Sequence, residues 1–141
     1  MDQFVRMPTI LEANKALVHK WIEAWRNINL ALLDELFTQD YAVNGTVTGP
    51  EGVKQAVQFL HAVFSEIALE LNEMVAEDDK VVVRWTMRGR QVGDFMGIAP
   101  TGKIVELQGI NIYRVQDGKI SANHERTNVV EVIQGLKAQQ G

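Results

Sequence analysis

The sequence predicts an α+β fold in which three N-terminal helices pack on a strongly curved, mainly antiparallel sheet and enclose a pocket. Apolar residues recur at helical spacing as far as Phe64, and from Ser65 onward the period switches to two. Helices come first and strands follow, with no repeat or low-complexity linker between them, which is the order of a segregated α+β domain.

Each element has its own signature. From Leu11 to Asn27, Leu17, Val18, Trp21, Ile22 and Trp25 mark one helical face, and Glu12, Lys15, Lys20, Glu23 and Arg26 the other. "LALLDELF" sets Leu32, Leu33, Leu36 and Phe37 at helical spacing as a second, shorter helix that "TQD" ends. "YAVNGTVTG" predicts a short strand between turn signals. "GPEG" opens the third helix, because proline in the first turn gives up no needed N–H and Glu51 suits the positive helix end; Val53, Val57, Leu60 and Phe64 form its buried face. In the strands, Ile67, Leu69 and Leu71 alternate with polar residues, "AEDDK" turns, and Val81, Val83, Trp85 and Met87 share one face of "KVVVRWTMRGRQV". A loop, "GDFMGIAPTG", separates that strand from "KIVELQGINIYRV" and "KISANHERTNVV".

A chain of 141 residues, 46% apolar, fits a single domain over 1–141 with its core at about 11–135, burying roughly two thirds of its unfolded surface. A net charge of -4 with no basic stripe argues against nucleic acid or a membrane surface as partner and favours a small molecule or another protein chain. The absence of cysteine excludes a disulfide framework and thiolate chemistry. No apolar run approaches the ~20 residues of a membrane span, and "MDQFVRMPTI" lacks the pattern of a signal peptide, so the cytoplasm is the expected compartment. His19, His61 and His124 show no ligand spacing, and no metal is expected.

The hairpin "GINIYRVQDGKISANHER" carries the chemistry. Read with a three-residue turn closed by Gly118, Val115 faces Lys119 and odd residues share a face: Val105, Leu107, Gly109, Asn111, Tyr113, Asn123, Glu125 and Thr127. Ile110, Ile112, Ile120, His124 and Arg126 then lie opposite, where the isoleucines could cross a dimer contact on the convex face. The alternative, a two-residue turn, breaks this parity and pairs Asn111 with His124. Arg84, Arg88 and Arg90 read as a solvated or interfacial stripe.

In helix order, in "RWT", in "GDFMGIAPTGK" and in "GINIYRVQDGKI", the chain from about Leu11 to Gly135 resembles the SnoaL-like polyketide cyclases of the NTF2-like, or cystatin-like, superfamily. The resemblance implies a cone-shaped α+β barrel with one deep pocket, no cofactor, and homodimers formed through the outer face of the sheet. It also implies a carboxylate on the last strand that removes a proton beside a carbonyl, so that an enolate closes a ring by intramolecular aldol addition. The family's His-Trp-Asp falls on Asn123, His124 and Glu125; its assisting polar group falls on Asn111, the histidine of its "GTH" segment on Gln91, and a second acidic position on Asn128.

Glu125 is therefore expected as general base, with Asn111 and either Gln91 or Tyr113 orienting the substrate or stabilising the enolate. The competing readings of Glu125 are an ion pair with Arg88, Arg90 or Arg126, or simple exposure. Substrate contacts are expected from Trp21, Phe37, Asn44, Trp85, Met87, Gln91, Phe95, Met96, Tyr113 and Asn123, with Phe95 and Met96 at the mouth. His124 is expected at a subunit contact. The chain thus reads as a cyclase, isomerase or lyase acting on an apolar carbonyl metabolite, or, because amides replace ionisable groups, as a non-catalytic binding or dimerisation module.

Overall fold

The computed structural model describes residues 6–140; Met1 to Val5, part of the stretch read for targeting, and Gly141 lie outside them. The order is α1 (Ile10–Asn27), α2 (Leu30–Leu36), β1 (Phe37–Val43), β2 (Thr46–Val47), α3 (Gly49–Val63), β3 (Phe64–Glu77), β4 (Lys80–Gln91), β5 (Ile104–Gln116), β6 (Lys119–Thr127) and α4 (Val129–Gln140). Thr9 starts α1 with a capping box: its hydroxyl accepts from the Glu12 N–H while the Glu12 carboxylate accepts from the Thr9 N–H. Among the described residues no helix is long and apolar enough to cross a membrane.

The strands form one sheet in the order β2-β1-β6-β5-β4-β3, antiparallel throughout except where β1 runs parallel to β6. Extra residues near Glu66 and at Asn72 break the β3–β4 register, and each such bulge bends and twists its strand, so the sheet curls around one face. Helices α1, α2 and α3 cover that concave face, burying Val18, Leu33, Val57, Val81 and Val83 between the two layers. Burying one such side chain contributes about 1.5–3 kcal/mol.

Several local readings differ from the sequence expectation. Phe37 opens β1 instead of ending α2, and Phe64 opens β3 instead of lying on α3. "YAVNGTVTG" holds a hairpin, not one strand: Asn44 (φ 49) and Gly45 (φ 85) turn β1 into β2. Val129 and Val130 begin a fourth helix instead of extending the last strand. Asn128 accounts for the break, because its side-chain oxygen accepts the backbone N–H of Gln108 and its carbonyl accepts the N–H of Val132.

The main hairpin is the most informative difference. Its turn has two residues, Asp117 (φ 51) and Gly118 (φ 75), with Gln116 opposite Lys119, so the three-residue turn is wrong. Ser121 is then an extra residue between the Val115–Ile120 and Arg114–Ala122 pairs. This bulge restores the parity that the turn had shifted, and Asn111 pairs with Glu125, not His124. Ile120 precedes the bulge and faces the core with no exposed surface, so it is no dimer contact. Ile110 and Ile112 stay on the outer face, 47% and 40% exposed. Arg84, Arg88 and Arg90 pair there with Glu73, Glu106 and Glu66.

Candidate active site

A cavity of about 230 Å³ lies between the concave face and the helices. Alternation along β4, β5 and β6 delivers Val83, Trp85 and Met87, then Leu107, Asn111 and Tyr113, then Asn123 and Glu125 to its wall. The helical side supplies Trp21, Ile22 and Trp25 from α1 and Gly52, Val53 and Val57 from α3. Among these lining residues Glu125 is the one carboxylate and no lysine, arginine or histidine is present. Elsewhere among the described residues no three His, Asp or Glu side chains converge as a metal would require.

Glycine at 109 makes the polar corner possible. Gly109 is opposite Trp85, and a Cβ there would lie 2.3 Å from the indole Cζ2. The ring therefore rests across the glycine and reaches Asn111, donating from Nε1 to Oδ1 at 2.7 Å. An indole nitrogen only donates, so the amide is oriented: Asn111 Nδ2 must face the other way. It donates to Glu125 Oε1 at 3.3 Å and to the Tyr113 hydroxyl oxygen at 3.1 Å. Trp21 Nε1 donates to that same hydroxyl oxygen at 3.0 Å.

Electrostatics follow from this enclosure. Burial pushes the Glu125 carboxyl above its ordinary range, and the Asn111 hydrogen bond offsets part of the rise. Among the described residues its charge meets no cation: Arg126 donates to the backbone oxygen of Glu125, not to its carboxylate, and Arg88 and Arg90 are paired on the outer face. The ion-pair reading of Glu125 is thereby excluded. Tyr41 is pushed up to about 12 by burial, against a hydrogen bond from Asn123 and with the Glu125 charge adding to the rise. Burial likewise raises the Tyr113 phenol, which keeps its proton at any working pH. Asn123 Oδ1 is buried without a partner among the described residues.

Of the residues expected in the pocket, Trp21, Trp85, Met87, Asn111, Tyr113, Asn123 and Glu125 line it. The others do not. Phe37 lies one layer deeper, edge-on to Trp21 with ring centres 4.9 Å apart. Asn44 braces the site from behind: its Oδ1 accepts the backbone N–H of Glu125 at 2.9 Å. Gln91 is fully buried but ties the 92–103 loop, donating to Gly93, Ile98 and Ala99 carbonyls and accepting from Thr101. Phe95 packs on Phe64 at 5.3 Å and Met96 is 60% exposed, and neither residue of the Gly-rich loop lines the cavity. Sequence reasoning missed Tyr41, Thr48 and Gly52, which line the cavity beside the first hairpin. The Asn-Gly pair at 44 and 45 was the signal that could have located them. His124 is exposed on the outer face. His61 braces the wall, bonded through Nε2 to the Trp25 carbonyl at 2.8 Å.

Comparison with known proteins adds to this geometry. Residues 15–136 match the family model described as SnoaL-like polyketide cyclase. The aklanonic acid methyl ester cyclase AcmA of Streptomyces galilaeus is 31% identical over 118 residues, 79% of this chain and 80% of that protein. A nogalonic acid methyl ester cyclase of Streptomyces nogalater is 33% identical over 95 residues, 62% of this chain and 70% of that one. Among solved structures, TsrD from Streptomyces laurentii superposes with a TM-score of 0.79 at 25% identity, covering 88% of this chain and 94% of its own. A SnoaL-like polyketide cyclase from Agrobacterium tumefaciens superposes with a TM-score of 0.78 over 96% of this chain and 100% of its own; at 16% identity that likeness concerns the fold alone.

Proposed function

The chain belongs to the SnoaL-like polyketide cyclase family, and on that footing we propose that it closes a ring in an apolar, carbonyl-containing polyketide-like metabolite by acid–base chemistry without a cofactor. Glu125 takes a proton from carbon beside a carbonyl, the enolate carbon adds to a second carbonyl of the same molecule, and the proton returns to the new alkoxide. Substrate and product are isomers, so no oxidant or co-reactant enters. Asn111 steadies the carboxylate through its hydrogen bond to Oε1.

The observation that carries the reading is the lone carboxylate of a mostly apolar cavity, raised in pKa by burial and with no cation among the described lining residues. A base poised nearer the working pH is the more effective proton acceptor. The non-catalytic reading rested on amides standing where the family often has ionisable groups. Those amides have structural partners here: Gln91 ties a loop, Asn128 separates β6 from α4, and Asn111 serves the carboxylate. Methyl esters of polyketide acids, named for the relatives, suit a wall with no cation to meet a free acid. The test is direct: purified protein is incubated with aklanonic acid methyl ester and ring closure is followed by chromatography. Absence of any acceleration over buffer, with this and with the nogalonic ester, rejects the cyclase reading.

We also propose a homodimer formed through the outer sheet face. Ile110 and Ile112 stand exposed there between cross-strand ion pairs, the pattern of an apolar centre with a charged rim.

A further inference from the structure

The geometry points to Tyr113 as the group whose hydroxyl donates to the oxygen of the enolising carbonyl, opposite Glu125. The inference rests on the cyclase reading above, and it follows from counting hydrogen-bonding capacity at one buried atom. A phenolic oxygen can accept two hydrogen bonds and donate one. Trp21 Nε1 is a donor only, and Asn111 Nδ2 is held as a donor because Trp85 occupies the other end of the amide. Trp21 and Asn111 fill both acceptor positions of Tyr113, and among the described residues no side chain or carbonyl accepts its proton. That proton has one remaining direction, into the cavity that Tyr113 lines.

The two donors that fix the oxygen also strengthen what it can give, since accepting hydrogen bonds polarises the O–H. Asn111 Nδ2 bridges Tyr113 and Glu125, with 3.1 Å to one oxygen and 3.3 Å to the other. A carbonyl group and its neighbouring C–H can therefore be met together, the oxygen by Tyr113 and the hydrogen by Glu125. As Glu125 removes the proton, the C–H pair becomes the enolate double bond and the carbonyl π pair moves onto oxygen, against the Tyr113 hydroxyl. The phenolic proton is shared and not transferred. When the enolate carbon attacks the second carbonyl, the pair returns from that oxygen and Glu125 protonates the new alkoxide. Burial, which disfavours the phenolate, keeps Tyr113 in the donor form throughout. The partner of this donor is thus a neutral ketone or ester carbonyl bearing an adjacent C–H.

Binding of an enolate mimic tests this without turnover. In the Glu125→Gln background, which removes the competing carboxylate, 4-nitrophenolate stands for the enolate and nitrobenzene for the apolar ring alone. Adding Tyr113→Phe is expected to weaken nitrophenolate about 10- to 100-fold, the worth of one hydrogen bond to a charged group, and to leave nitrobenzene unchanged. Equal weakening of both, or of neither, overturns the assignment. Because Tyr113→Phe also takes the shared acceptor from Trp21 Nε1 and Asn111 Nδ2, a second measurement keeps the hydroxyl in place. The chain has two tyrosines, so 3-fluorotyrosine in a Tyr41→Phe, Glu125→Gln chain reports Tyr113 alone. Its fluorine resonance should move with nitrophenolate and not with nitrobenzene; a resonance that ignores saturating nitrophenolate overturns the assignment as well. Failure of the base assignment would look different: turnover would survive Glu125→Gln while both binding measurements remained readable.

Discussion

Trp85 Nε1 donates to Asn111 Oδ1 at 2.7 Å, and this single contact decides which end of the amide faces Glu125. Replacing Asn111 with leucine would remove both relationships at once. The Glu125 carboxylate loses the Asn111 donor that offsets part of its desolvation, so its pKa should rise further. The rising limb of kcat/KM against pH should move to higher pH in Asn111→Leu, and the fold should lose about 1–3 kcal/mol for the stranded Trp85 N–H. An unmoved pH limb would separate Asn111 from the base.

Glu125→Gln tests the base itself. Loss of a general base costs about 10²–10⁴ in kcat, and that drop is expected here with ligand binding kept. A carboxyl whose folded pKa lies above its unfolded value favours folding below the unfolded pKa, and that contribution is lost as pH rises through the folded pKa. The parent protein should therefore lose stability as pH rises above the ordinary carboxylate range, and Glu125→Gln should lack that slope in urea titrations.

How far the sequence predicted this site depends on which physical rule governs each residue. Strand alternation is local and rigid, so Trp85, Met87, Asn111, Tyr113, Asn123 and Glu125 reach the cavity as their parity requires. Asn111 shares its face with Glu125, as read, only because two effects compensate, a turn one residue shorter than read and the Ser121 bulge, and its partner is Glu125 where the read register put Asn123. Nothing in the pattern "KISAN" announces that bulge. Phe37 was misplaced because it was read on a helix and instead opens β1; Phe95 and Met96 were misplaced because an apolar side chain in a loop can face the cavity, the layer beneath it or solvent, and periodicity cannot choose among them. Tyr41 was overlooked because "YAVNGTVTG", read as one short strand, alternates too weakly to say which of its residues face inward. The fourth helix was hidden by its apolar start, Val129 and Val130, which reads equally well as strand.

Gln91 offers a sharp contrast with the pocket role first expected of it. Its amide holds the 92–103 loop from within, bonding Gly93, Ile98, Ala99 and Thr101 without touching the cavity. Gln91→Leu should cost about 1–3 kcal/mol through the polar groups left unpaired. Differential scanning calorimetry should register the loss, and proteolysis should begin in the loop, while kcat of the folded fraction stays at the parent value. A selective fall in kcat would return Gln91 to the site.

The dimer proposal makes a separate demand on the outer face. Ile110→Glu places a charge between Arg84 and Arg126, its partners across β4 and β6, at the centre of the apolar patch. Sedimentation velocity should show the parent protein as a dimer and the variant as a monomer, with little change in the helical and strand content of either. A parent protein that sediments as a monomer at high concentration rules out this interface.

Gly109 links the fold to the chemistry most tightly. Its backbone φ is unexceptional, so the requirement for glycine is steric: a methyl group would occupy the space of the Trp85 ring, 2.3 Å from Cζ2 and 2.6 Å from Cε2. The neighbouring strands fix both backbones, so the indole must move in Gly109→Ala. Movement breaks the Trp85 bond to Asn111, frees the amide to rotate, and unsettles the donor to Glu125. Overpacking of this kind typically costs about 1–3 kcal/mol, and turnover should fall beyond what that loss of stability explains. A double-mutant cycle isolates the cause. In a Trp85→Leu chain the methyl group meets no ring, so Gly109→Ala should cost little there, and the coupling between the two positions should account for most of the single-variant effect. Additive costs would mean that the glycine serves the backbone and not the tryptophan, and the chain of contacts from Gly109 to Glu125 would have to be drawn differently.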